Sequence, residues 1–175
     1  MIDERMQNAF NKQINAELYS AYLYLSMAAY SQAINLPGFA NWMRVQEQEE
    51  RFHALKMYDY VISRGGRVVL DKIDAPPVEW ASPLAMFEAV AAHEAKVTGL
   101  INDLMNVAIE QKDHAAAQFL QWYVNEQVEE ESNDAKIVGD LKRAGDTASL
   151  IFMLDRELAT RVYVPPAAGT TAAGA

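Results

Sequence analysis

Glu17, Glu50, His53, Glu94, Gln127 and Glu130 are the residues of this chain whose types and spacing could do chemistry. Glu17 lies inside a stripe of Phe10, Ile14, Glu17, Ala21, Tyr24 and Ala28, and steps of 4, 3, 4, 3 and 4 mark the interior face of a helix. Glu50 and His53 form Glu-x-x-His, two ligand-capable groups one turn apart within Phe39, Met43, Gln46, Glu50, His53, Met57 and Tyr60. Glu94 is the one charged member of Phe87, Val90, Glu94, Val97, Ile101, Leu104 and Ala108. A fourth stripe holds Leu120, Tyr123, Gln127, Glu130, Asp134, Ile137 and Leu141. Several acids buried on seams without Lys or Arg would each cost several kcal/mol, and like charges that close would force some to protonate. A pair of divalent cations removes that cost. Carboxylate oxygens with one imidazole and no sulfur suit Fe, Mn or Zn, and two metals sharing Glu50 and Glu130 would have the spacing that reactions with dioxygen exploit.

Each piece also has a plainer account. A single Glu on an apolar stripe is usually a side chain that snorkels to solvent, and a lone Glu-x-x-His is common. The metal reading rests on four independent seams agreeing in height and face. Tyr24 shares the Glu17 face and could donate a hydrogen bond or an electron, although an aromatic on a core stripe is more often packing. Asp134 points inward by spacing, and a slight drift of the helix is expected to carry it to the surface.

The elements that must position these residues are long helices, because Gly and Pro are rare and clustered in a chain rich in Ala, Leu, Met, Glu and Gln. Breaks at Asn35 to Gly38, Gly65 to Pro83, Lys112 to Asp113 and Gly145 leave helices expected at 4–32, 39–64, 84–111, 115–144 and 147–161. Four of about 25 to 30 residues, some 40 Å each, suit an all-α four-helix bundle. Short first and third connections imply antiparallel neighbours. The connection of about 17 residues from Gly66 to Ser82, with Val68, Val69 and Leu70 extended, can run the length of the bundle as one long crossover. The short fifth segment carries Leu150, Leu154 and Leu158 at helical spacing and must dock outside the four-helix core. One domain is expected over 1–164, with a disordered Pro, Ala, Gly and Thr tail over 165–175.

Composition narrows the partners. Fifteen Lys+Arg against 24 Asp+Glu give a net charge of -9 among 175 residues, which repels nucleic acid and anionic membrane and attracts cations. The absence of cysteine excludes disulfides and thiolate-held centres, so any metal uses O and N ligands. The charged N-terminus and the lack of any stretch near ~18 apolar residues point to a soluble, cytoplasmic protein.

The runs Asn15 to Tyr22 (NAELYSAY), Glu49 to Ala54 (EERFHA) and Asn125 to Glu131 (NEQVEEE) resemble the non-haem ferritins of bacteria and archaea, and the likeness spans nearly the whole chain. The resemblance implies a ferritin-like bundle with a short fifth helix and a di-iron ferroxidase centre. One iron would sit on Glu17, Glu50 and His53, and its neighbour on Glu50, Glu94 and Glu130, with Glu50 bridging and Gln127 beside them. A possible third iron site known in this branch would be Glu49, Glu126, Glu129 and Glu130, and the steps between the last three put them on one helix face. The bland reading of Glu126 and Glu129 is a solvated face. No haem is expected, because a bacterioferritin would repeat Glu-x-x-His on the fourth helix and carry Met after the second-helix Glu, where this chain has Gln127, Glu130 and Arg51. Where animal ferritins have acidic three-fold pores, near His114 to Gln121, this chain has Ala117 and Gln121.

The expected function is therefore oxidation of Fe(II) by dioxygen or peroxide and storage of ferric mineral in a homo-oligomeric cage, usually of 24 chains. Leu18, Tyr19, Tyr22, Leu23 and Met27 on the first helix, with Trp42 and Tyr58 on the second, lie outside the core stripes and suggest an apolar face that wants a partner. The alternatives are a di-iron peroxidase or oxidase of the rubrerythrin type, and a structural bundle with a degenerate site. The first would normally carry a Cys-rich electron-supply module. The intact ligand set argues against the second.

Overall fold

The computed structural model describes residues 1–165, and most of the expected disordered tail lies outside them. Five helices follow in order: α1 (Glu4–Ala33), α2 (Pro37–Ser63), α3 (Pro83–Glu110), α4 (His114–Ala144) and α5 (Ala148–Leu158). Their starts are chemically marked. Asp3, Ser82 and Asp113 accept hydrogen bonds from the backbone N–H groups of Arg5, Ala85 and Ala116, while Pro37 and Pro83 stand at helix starts, where a missing N–H costs nothing. α2 thus begins two residues earlier than periodicity suggests. α4 ends where Gly145 adopts φ +52°, a conformation that disfavours a side chain.

Packing shows the antiparallel order directly. One apolar cluster joins the C-terminal half of α1 (Tyr24, Met27) to the N-terminal halves of α2 (Phe39, Met43) and α3 (Met86, Phe87) and the C-terminal half of α4 (Ile137, Leu141). A second joins Phe10 and Ile14 of α1 to Met57, Val97, Ile101, Leu120 and Tyr123. Between them lies a layer of buried polar side chains from the middle of all four helices.

The crossover after α2 has no strand; a polar edge of α1 holds it as irregular chain. Gln7 Oε1 accepts from Arg67 N at 2.8 Å, Asn11 Nδ2 donates to Arg67 O at 3.2 Å, and Asn15 Nδ2 donates to Lys72 O at 3.1 Å. Farther along, Ser26 Oγ donates to Pro77 O at 2.7 Å and Tyr30 Oη donates to Trp80 O at 2.6 Å. Side chains on one face of α1 therefore replace the backbone partners that a strand would have supplied.

α5 ends at Leu158, three residues sooner than expected, and packs on α2 and α4 through Leu154 and Leu158, leaving Leu150 exposed. Its buried Asp155 accepts from Gly38 N at 2.7 Å and Phe39 N at 3.1 Å, capping the start of α2, which has no cap of its own. A Cβ on Gly38 would lie 1.6 Å from Asp155 O, so only glycine admits this approach. Among the described residues no helix is long and apolar enough to cross a membrane.

The supposed outer apolar face divides. Leu23, Met27 and Trp42 are buried within the chain's own core, and Leu18, Tyr19 and Tyr58 are half-buried. Tyr22 remains exposed beside Leu25, and α5 exposes Phe152 and Met153.

Candidate metal centre

The polar layer contains every residue on which the sequence concentrates its chemistry. Glu17, Glu50, His53, Glu94, Gln127 and Glu130 are all 5% exposed or less, so none of them snorkels to solvent. Donor atoms of Glu17, Glu50 and His53 lie within 4.8 Å of one another, the one such metal-capable group among the described residues. Glu94 and Glu130 complete no further group of this kind among the described residues but act electrostatically on Glu50 from α3 and α4.

Three of these acids are each held by a side-chain amide. Gln13 Nε2 donates to Glu17 Oε1 at 2.8 Å, Gln46 Nε2 to Glu130 Oε2 at 3.1 Å, and Gln127 Nε2 to Glu94 Oε2 at 3.2 Å. Tyr24 Oη donates to Glu94 Oε1. Glu17 Oε2 and Glu50 Oε2 are buried without any hydrogen-bond partner among the described residues. An acceptor aimed into a sealed interior with nothing to accept from costs a few kcal/mol, and a cation removes the cost.

The protonation states fit the same account. Burial pushes Glu17 up to about 7 and Glu130 up to about 8, and raises Glu50 and Glu94; the neighbouring acids push Glu50 and Glu130 further. Burial, with help from Lys56, lowers His53 to about 3. The 3.5 Å approach of His53 Nδ1 to Glu50 Oε2 is therefore a contact between a neutral imidazole and a carboxyl, not an ion pair. A neutral imidazole is the metal-binding form. Tyr123 Oη donates to His53 O at 2.9 Å, and the Trp122 and Tyr123 rings pack edge-on against the imidazole.

Glu49, Glu126 and Glu129 lie to one side of this layer. Burial raises Glu49 and Glu126; Glu126 and Glu129 also push Glu49 up, and Glu129 does the same to Glu126. Glu49 and Glu126 are half-buried and Glu129 is exposed, so the solvated-face account holds only for Glu129.

Asp134 is a correction. It is fully buried, not on the surface, because α4 keeps its register and the same face that carries Glu130 continues inward one turn later. Neither carboxylate oxygen has a partner among the described residues, and burial followed by the charge on Glu94 pushes Asp134 up to about 8. Sequence reasoning also passed over Gln13, one turn before Glu17, and Arg161, whose guanidinium reaches Glu49 at 2.6 Å. The spacing of Gln13 was readable; the long-range approach of Arg161 was not.

Residues 7–144 match the family described as Ferritin-like domain. A bacterial non-heme ferritin of Bacteroides fragilis is 48% identical over 161 residues, covering 92% of this chain and 100% of that protein. Another from Staphylococcus epidermidis is 40% identical over 163 residues, covering 93% and 98%. Among solved structures, an open pore ferritin from Archaeoglobus fulgidus superposes with a TM-score of 0.92 at 54% identity, covering 93% of this chain and 100% of its own. A form of that protein engineered to be closed gives a TM-score of 0.93. With this bundle, this crossover and this buried acid layer, the chain belongs to the ferritin family.

Proposed function

We propose that this ferritin binds pairs of Fe(II) in its polar layer, oxidises them, and stores the ferric product in a cytoplasmic homo-oligomeric cage. The observation that carries the reading is the buried Glu17, Glu50 and His53 group, with its unpartnered oxygens and its neutral imidazole. One iron is taken by these three residues. The second is taken by Glu50, Glu94 and Glu130, with Gln127 fixing Glu94. Gln13, Gln46, Gln127 and Tyr24 each hold one carboxylate oxygen, which orients its acid before iron arrives. Two Fe(II) give one electron each, and dioxygen takes both with two protons to become hydrogen peroxide; peroxide as oxidant takes two electrons and two protons to become water. Glu49, Glu126, Glu129 and Glu130 form a third, more open iron site.

The test is aerobic Fe(II) oxidation by Glu50→Ala and His53→Ala proteins. Each should lose at least about tenfold of the initial rate while keeping its helical circular dichroism. Unchanged rates in folded variants would sink the assignment.

A further inference from the structure

Arg161 follows α5 and is fixed at its backbone, where Asn41 Nδ2 donates to Arg161 O at 2.9 Å and to Leu158 O at 3.2 Å. Its guanidinium lies 4.6 Å from the centroid of the Trp42 ring, and Nη2 donates to Glu49 Oε2 at 2.6 Å. Glu126, Glu129 and Glu130 have no ion-pair partner among the described residues, so Glu49 alone of these four acids is occupied by a cation of the chain itself. The other edge of the guanidinium, Nη1, is buried and without a partner, as are both oxygens of Asp134. Arg161 is the cation whose field reaches Asp134.

We infer that Arg161 is a resident counter-ion of the third iron site, which must release Glu49 before iron binds there, and that Asp134 receives the displaced guanidinium. The inference rests on the reading of Glu49, Glu126, Glu129 and Glu130 as that site. A metal ion and a guanidinium compete for the same carboxylate oxygen, so the ion pair weakens third-site binding without touching Glu17, Glu50 or His53. Asn41 holds the backbone, so Arg161 moves by side-chain torsions alone. An inward guanidinium meets in Asp134 a carboxyl whose two oxygens no other group among the described residues claims. The arrangement makes the third site loose by construction and spares the bundle an uncompensated buried charge while that site is full.

The experiment is anaerobic calorimetric titration of the assembled protein with Fe(II), and with Zn(II) as a redox-inert probe. Arg161→Met keeps an apolar stem over Trp42 and removes the charge. It should tighten the third equivalent about three- to tenfold and leave the first, on Glu17, Glu50 and His53, unchanged. Arg161→Lys, still a cation but without the fork, should fall between Arg161→Met and wild type. Asp134→Asn should weaken the third equivalent in the wild-type background and not in Arg161→Met, where no guanidinium needs a landing place. Glu49→Gln should abolish the third equivalent. If it does and Arg161→Met changes nothing, the third site stands and the counter-ion role is overturned. Equal effects of Asp134→Asn in both backgrounds would overturn the landing role. Should Glu49→Gln leave three equivalents, the site itself is misread and the inference falls with it.

Discussion

Asp134 and the acids beside it hold protons that an unfolded chain would release, and this sets the pH response of the iron-free protein. Folded values of about 7 for Glu17 and about 8 for Glu130 and Asp134 stand above ordinary values of 4.5, 4.5 and 3.8. The folded state therefore binds more protons than the unfolded state between about pH 4 and pH 8. Stability from these groups is complete below the lower value and lost as pH rises through the upper one, with a slope of at most about 1.4 kcal/mol per pH unit for each proton. Thermal melts of apoprotein should fall steadily from pH 5.5 to pH 8.5, and Zn(II) should flatten the fall. A rising or flat apoprotein profile would contradict the protonation states. Asp134→Leu should stabilise the apoprotein at pH 8.5 by about 1–3 kcal/mol, since it removes a buried acid that nothing satisfies. Titrating apoprotein with Zn(II) in weak buffer at pH 7 should release protons, because ligands that bind as carboxylates begin partly as acids.

Among the elements, α5 has a task that its length conceals. Asp155 supplies the N-terminal cap of α2, and Gly38 admits it. Asp155→Ala should destabilise the folded chain by about 1–2 kcal/mol and expose α5 to proteolysis before the bundle unfolds. Gly38→Ala should do at least as much through its clash with Asp155 O. Equal protease resistance in wild type and both variants would show that α5 is held by its leucines alone. The four long helices were legible because each carries an uninterrupted seam, and their boundaries moved by three residues or fewer. The crossover was legible in length but not in conformation. Its partners are Gln7, Asn11, Asn15, Ser26 and Tyr30, whose spacing along α1 is plain only once the facing chain is known.

For the whole molecule, the exposed Phe152 and Met153 of α5 and the exposed Tyr22 and Leu25 of α1 are large apolar groups left without cover in one chain. They are the surfaces on which the proposed cage would close. Replacing both Phe152 and Met153 by Glu should shift size-exclusion elution from a several-hundred-kilodalton particle to small oligomers, and an unaltered large particle would place the contacts elsewhere. A charge of -9 per chain adds a salt dependence, so dilution into low ionic strength should loosen the same contacts.

The sequence by itself determined the four seams, the height at which their polar residues stand, and the resemblance that named the family, because helical period and break positions are local properties of the chain. The location of Glu17, Glu50, His53, Glu94, Gln127 and Glu130 in one layer follows from those properties once helices of similar length run antiparallel. Only the tertiary structure decided how near the layer's members approach. Glu17, Glu50 and His53 meet as one metal-capable group, while Glu94 and Glu130 complete no other among the described residues, a distinction that depends on helix packing and side-chain torsions and that a stripe cannot record. It alone decided that Asp134 is buried and unsatisfied, and that Arg161, 112 positions after Glu49, reaches that acid. Contacts at such separation depend on where α5 docks, and docking is a property of the assembled core.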